Sequence, residues 1–403
     1  MSSPVPALSH VEAVVATHLA QLRPAQQRGL ALWVVALLLA RSGCERAILT
    51  ALAPVGFAEH ALRARLREWL YDGADRAAPC ATALEVRTCF APLLHWVLAW
   101  WGGPALPLAI DTTTVRERLV VLSISVLYRG AAIPVAWCVL PYEGSGKGAW
   151  IPHLAQLLAT LAPAVPASMT VLVLTDRGLW SPALWRHIRA VGWHPVMRIR
   201  PDATFAPTSQ RRRPARELVP GPGYAWVGSG VAYKERPKRL AATLLVVWTQ
   251  GQDEPWLLLT DLAPQQIGVS WYGLRVWIEL SFRALKSFGW DWQRTRRTDP
   301  GRVARHWLVL AVATLLSVAV GTRLEEADWR GCPPGRLRRT RTPPPRRARR
   351  VSLFARGVAW LHVQVLRGRR LWTALWLLPE AWPQPPPDLI ILRHSLAPRG
   401  VYA

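Results

Sequence analysis

From Pro104 onward, apolar runs of strand length alternate with a helical pattern, and this alternation limits the folds open to the chain. Leu106-Pro-Leu-Ala-Ile-Asp111 is a short apolar run. Leu119–Tyr128 and Ala131–Leu140 follow, rich in Val and Ile and joined through Arg129-Gly130, which predicts a hairpin. Ile151–Leu161 has helical periodicity. Thr170-Val-Leu-Val-Leu-Thr-Asp176 is unbroken enough to be a strand buried on both faces. Ser181-Pro182 supplies a helix cap and first-turn proline, and Pro195–Arg200 reads as one more strand. Three strands, a helix, a strand, a helix and a strand predict an α/β unit with a mixed sheet.

The flanking texture differs. Residues 1–104 read as a helical N-terminal domain, with Ala, Leu and Arg at helical spacing. Within it, Glu45–Leu52 and Ala58–Tyr71 are separated by Gly56, and the second carries Arg63, Arg65 and Arg67. Either a DNA-reading helix-turn-helix or two bundle helices with a solvated basic face fits that pattern. Residues 105–200 form the first part of the core. Residues 201–264 are turn-rich, with Pro220-Gly-Pro-Gly223 and Gly251-Gln-Asp253 between strand-like runs, and predict an inserted β-subdomain. Residues 265–326 complete the core with a long helix over Gln265–Ser287 and a second over Gly301–Arg323. Residues 327–403 are a basic C-terminal region, part helical and part irregular. Arg and Pro dominate Pro333–Arg350, which predicts a mobile segment, and residues 351–378 regain a helical pattern with Trp360, Trp372 and Trp376 before the prolines at 383–387.

Charge narrows the partners. There are 50 basic against 25 acidic residues, a formal net charge of +25. Folding does not need such an excess, and self-repulsion opposes it, so a polyanion, nucleic acid first, is the expected partner. Trp is frequent, at 23, and its flat ring fills a core or stacks on a base. Cys44, Cys80, Cys89, Cys138 and Cys332 are scattered and form no C-x-x-C pair, which fits reduced thiols in the cytoplasm and no zinc site. Trp307–Val320 is the most membrane-like run, but it is shorter than the ~20 residues a span needs and reads as a buried helix. No membrane partner is expected.

In a chain poor in acids, Asp111 and Asp176 stand out at the ends of apolar strands. Adjacent strands ending side by side would bring the two carboxylates together, and two close anions call for a cation between them. Mg²⁺ takes oxygen ligands and keeps water for chemistry. The plain alternative for each Asp is a strand-end cap. Further on, Tyr272, Arg275, Glu279 and Lys286 fall on one face of the predicted helix, with Leu274, Trp277, Ile278, Phe282 and Leu285 on the others. By spacing alone the better reading is a solvated stripe with an Arg275–Glu279 pair at i,i+4.

The order Y-x2-R-x3-E-x6-K resembles the signature of the insertion-sequence-four family of DDE transposases, bacterial cut-and-paste enzymes. Ala-Ile-Asp111-Thr-Thr, Leu-Thr-Asp176-Arg-Gly and Ala132-Ile-Pro-Val-Ala-Trp137 are also similar to that family's blocks, so the resemblance covers about residues 100–325. It implies a ribonuclease H-like core with a β-insertion between the second Asp and the Glu. It implies that Asp111, Asp176 and Glu279 are catalytic and bind two Mg²⁺ ions, with Mn²⁺ able to substitute. Tyr272, Arg275 and Lys286 would contact DNA, and a Trp of the insertion (Trp226, Trp248 or Trp256) would stack on a flipped base, with core packing as the alternative for each. The implied partners are the terminal inverted repeats of the element and target DNA, engaged by a homodimer at the nucleoid. Two other readings remain at this point: a catalytically inactive DNA-binding descendant or regulator, and a ribonuclease H-like nuclease with another DNA substrate. Gly144-Ser-Gly-Lys147-Gly departs from a Walker loop, because position 148 is Gly and position 141 is Pro.

Overall fold

The computed structural model describes residues 6–53, 58–71, 84–143, 146–337, 349–372 and 374–394. Gly56, Cys80, Gly144, Ser145 and most of the Arg/Pro stretch lie outside them. The strands are β1 (Ala105–Val115), β2 (Leu119–Tyr128), β3 (Ala131–Pro141), β4 (Thr170–Thr175), β5 (His194–Arg198), β6 (Thr204–Pro207), β7 (Arg213–Pro214), β8 (Tyr224–Ala232), β9 (Leu240–Trp248), β10 (Trp256–Thr260) and β11 (Ile390–His394). The helices are α1 (Pro6–His18), α2 (Pro24–Ala40), α3 (Glu45–Leu52), α4 (Glu59–Leu70), α5 (Phe90–Trp100), α6 (Lys147–Leu161), α7 (Pro182–Ala190), α8 (Val276–Arg283), α9 (Pro300–Arg330) and α10 (Leu353–Leu366).

One sheet runs β3-β2-β1-β4-β5-β10-β9-β8-β6-β7. Its first five strands follow from the chain's alternation. β1, β2 and β3 form an antiparallel meander turning at Arg129-Gly130, where both residues have positive φ. A parallel neighbour needs a crossover, and α6 and α7 supply one each, so β4 lies parallel to β1 and β5 parallel to β4. This order and these directions fit a ribonuclease H-like transposase core. β1 and β4 are buried on both faces, which explains their unbroken apolar runs. The strands between residues 204 and 260 extend the same sheet, because β10 pairs antiparallel with β5.

Three regions depart from the sequence expectation. The helix expected over 265–287 is shorter and irregular. A Cβ at Gly268 would lie 2.3 Å from the indole of Trp271, so only glycine allows that ring to fold back. A 3₁₀ turn over Trp271–Arg275 leads into α8, and a π turn over Ala284–Phe288 ends it. α9 is longer than expected. Asp299 caps its start, accepting from the Arg302 N–H at 2.7 Å, and Gly331 in the left-handed region ends it. It is the one described helix long and apolar enough to cross a membrane, but 94% of its most apolar window is buried. α9 crosses α10 where both backbones meet at glycines: a Cβ on Gly357 would lie 1.7 Å from the Ser317 carbonyl.

The third departure is the C-terminal region. α10 stops at Leu366, and the described residues 374–389 form no helix but run past the start of β1 and the end of β2. Leu377 exchanges backbone hydrogen bonds with Trp100 and Gly102, at 2.8 and 2.9 Å. The buried Tyr128 hydroxyl accepts from the Leu378 N–H at 2.8 Å. β11 then adds to β8 in parallel. Arg349, at the edge of the Arg/Pro stretch, is ion-paired to Glu325 and Glu380. The tail is a strap on the core.

Candidate active site

The β1–β4 ladder ends at the pair Ile110–Thr175. The next residues on the two strands are Asp111 and Asp176, so parallel register sets the two carboxylates side by side, with strands about 4.8 Å apart. Asp111 is therefore not at a strand end, as the sequence suggested. β1 continues to Val115, paired only with β2, while the β4 side opens at the Arg177 turn. The opening is a crevice at the carboxyl ends of parallel strands, where α/β sheets bind their ligands.

Asp176 does form the strand-end cap weighed for it. Its Oδ1 accepts from the Leu179 N–H at 2.9 Å and so forms the turn that leaves β4. A Cβ on Gly178 would come within 3.2 Å of both carboxylate oxygens, so glycine keeps the side chain free to fold over the turn. Its side chain is 36% exposed, against 12% for Asp111.

α8 packs against the β1–β3 meander, with Ser281 Oγ accepting from the Ala132 N–H. That contact delivers the Arg275–Glu279 stretch to the crevice. Arg275 lies among all three acids. Its Nη2 is 2.8 Å from Asp111 Oδ2 and 3.8 Å from Asp176 Oδ2, and its Nη1 is bonded to Glu279 Oε1. Burial pushes the Asp111 carboxyl up to about 6, and Asp176 and Glu279 add to the rise; Arg275 and the Thr112 N–H oppose it. Burial works against the Arg275 charge, but Asp111, Tyr272, Asp176 and Glu279 outweigh it and raise its pKa.

The remaining residues singled out from the sequence fall differently. Tyr272 is buried, donates to the Thr175 carbonyl at 3.1 Å and so braces the end of β4 just before Asp176. Burial raises its pKa. Lys286 sits in the π turn, which takes it off the regular helical phase of Glu279; burial lowers its pKa, and no described residue forms an ion pair with it. Trp256 packs edge-on against Tyr272 with ring centroids 5.3 Å apart. Trp226 is buried against Phe205, and Trp248 donates to the Gln252 carbonyl at 2.8 Å, so these two are held away from the carboxylates by packing and a turn. Two neighbours escaped the sequence reading. Arg177 and Arg198 flank the crevice and share Glu254, at 2.9 and 3.1 Å. Arg177 directly follows Asp176, and a cation beside an acid at a strand end was the available signal.

The donor set suits a divalent ion. All three acids offer hard oxygens, and Asp111 and Asp176 already approach one shared cationic nitrogen. Among the described residues, no three His, Cys, Asp or Glu side chains converge closely enough to hold a metal in this conformation. The aspartate pair fits such an ion, and Glu279 stands one guanidinium away from them.

No curated protein matches the chain. Residues 122–316, just under half of the chain, match the family model described as transposase DDE domain, a span that holds Asp176, Tyr272, Arg275, Glu279 and Lys286 and begins on β2 just after Asp111, and this match supports a DDE transposase.

Proposed function

We propose that this chain is a DNA transposase of the insertion-sequence-four type, cleaving and joining DNA strands at the terminal inverted repeats of its own element by cut-and-paste transposition. The observation that carries the reading is the adjacency of Asp111 and Asp176, each one residue past the last β1–β4 pair, in a crevice faced by Glu279, with Asp176 and Glu279 inside the span similar to a transposase domain. Asp111, Asp176 and Glu279 are assigned as ligands of two Mg²⁺ ions, replaceable by Mn²⁺. Bound there, the ions would activate the attacking hydroxyl and stabilise the leaving oxygen of a phosphodiester. Lys286, Arg177 and Arg198 present positive charge to the strand, and the +25 balance draws DNA to the protein. Tyr272 keeps Asp176 in register through the Thr175 carbonyl. Trp256, beside Tyr272, is the best placed of the three insertion tryptophans to meet an unpaired base. Action as a homodimer, in the cytoplasm at the nucleoid, completes the reading.

The test is cleavage of duplexes carrying the element's ends, with Mg²⁺ or Mn²⁺. Wild type is expected to cut. Asp111→Ala, Asp176→Ala and Glu279→Ala should each lose about 10⁴-fold in rate while keeping DNA affinity, as expected when a group that acts only in the transition state is removed. Cleavage at the wild-type rate by any of the three rejects the assignment.

A further inference from the structure

We propose that Arg275 is a resident cation that holds the place of divalent metal among Asp111, Asp176 and Glu279, and that it must leave before metal can bind there; the proposal rests on the metal-site reading above. Its guanidinium is not a rim contact to DNA in this conformation. One nitrogen reaches both aspartates and another reaches Glu279, so the planar fork spans the whole acidic cluster. The same fork keeps Glu279 apart from the aspartates, which explains why three metal-binding side chains on one crevice do not converge.

Charge makes the two occupants exclusive. One guanidinium against three carboxylates leaves the cluster negative, so it still attracts cations. A divalent ion between the aspartates would meet the guanidinium at contact distance, and like charges in a half-buried site repel strongly. The guanidinium then needs another anion. Its Nε is buried without a hydrogen-bond partner among the described residues, so the carboxylates do not use its full donor set. A phosphate can take two guanidinium N–H groups at once, and DNA brings phosphates to the crevice mouth. DNA and metal are then positively coupled: the phosphate removes Arg275 from the cluster, and the metal replaces it. Coupling of this kind is reciprocal, so each ligand raises the affinity for the other by the same factor. Without DNA the protein holds metal weakly and is spared idle hydrolytic chemistry.

The experiment is Mn²⁺ binding to the full chain, read by electron paramagnetic resonance or calorimetry, with no turnover involved. Wild type, Arg275→Gln and Asp111→Asn are compared with and without a short duplex carrying the element's end. Without DNA, Arg275→Gln is expected to bind Mn²⁺ about tenfold or more tightly than wild type, the factor that ~1.4 kcal/mol of relieved repulsion gives. The duplex should raise Mn²⁺ affinity in wild type and change it little in Arg275→Gln. If Arg275→Gln binds no more tightly, or if DNA leaves the wild-type affinity unchanged, the proposal is wrong. The wild-type comparison stands even where Arg275→Gln fails to fold. Asp111→Asn separates the two levels of the argument. If it binds Mn²⁺ as well as wild type, the metal-site reading itself fails. If it loses Mn²⁺ while Arg275→Gln gains nothing, only the displacement by Arg275 fails.

Discussion

Two arginine–carboxylate clusters sit along the β1–β2 pair, one midway and one past the end of β2, and they are built on different charge balances. Asp111, Asp176 and Glu279 surround one arginine, Arg275. Past the end of β2, Arg129 of the β2–β3 turn and Arg349 face Glu325 of α9 and Glu380 of the strap, two against two. The second cluster is largely closed: Arg129 is 1% exposed, Glu380 6%, and Arg349 and Glu325 18% each. The first is open, with Glu279 56% exposed. A balanced, largely buried set of ion pairs leaves no excess charge to recruit a cation, and it fixes which segments pack together. An acid excess half open to water is poorly suited to holding a fold and well suited to recruiting cations.

The largest test of that contrast is Glu380→Ala. It strands Arg129 and Arg349 against one carboxylate and should cost about 3 kcal/mol in urea unfolding, because a buried charge loses its partner. Cleavage per folded molecule should stay close to wild type. Asp111→Ala is the mirror image, with chemistry lost and the fold kept. A Glu380→Ala protein that is fully stable, or folded but as inactive as Asp111→Ala, would erase the distinction between the clusters.

Why one cluster was visible in the sequence and the other was not has a physical reason. A strand buried on both faces must be apolar, so an acid closing such a run is conspicuous; Asp111 and Asp176 were legible for that reason. Their register was not, because it depends on how far a crossover carries the chain. The Arg275–Glu279 contact follows from i,i+4 spacing, and it does form. The contact of Arg275 with Asp111 spans 164 residues, and no local pattern announces it. The strap escaped because its anchors are backbone groups at Trp100, Gly102 and Leu377, one tyrosine hydroxyl, and side-chain contacts of Trp376 and Glu380 with residues far away in sequence, none of which carries a periodic signal. The helical pattern over 351–378 misled beyond Leu366, since the apolar and tryptophan-rich texture there serves a non-helical segment lying on the core.

A buried group with no counter-charge at all calibrates the comparison. His306 of α9 lies fully buried against Trp33, with ring centroids 5.4 Å apart and neither ring nitrogen bonded among the described residues. Burial, and then Arg297, push its pKa well below the ordinary 6.5. The folded protein keeps it neutral while the unfolded chain takes up a proton near that value. Its contribution is therefore whole above pH 6.5 and is lost as pH falls below it, at up to about 1.4 kcal/mol per pH unit. Thermal unfolding from pH 7.5 to 5.5 should show this slope, and His306→Gln should flatten it. An identical slope in the variant would mean that burial without compensation costs little here, and the contrast between the clusters would lose its basis.

The smallest test falls on the edge of the open cluster. The sequence pointed Tyr272 at DNA, whereas in the folded chain its hydroxyl is spent on the Thr175 carbonyl, one residue before Asp176. These roles predict different consequences for Tyr272→Phe. A hydroxyl that contacts DNA would weaken DNA binding when removed and leave unfolding unchanged. A hydroxyl that braces β4 would leave a buried carbonyl unpaired and lower stability by about 1 kcal/mol, with DNA affinity unaltered. The second outcome is expected, because Tyr272 is packed under Trp256 and only 5% exposed. A shift in DNA affinity with an unchanged melting curve would return Tyr272 to the DNA. The open cluster would then lack the brace that keeps Asp176 beside Asp111.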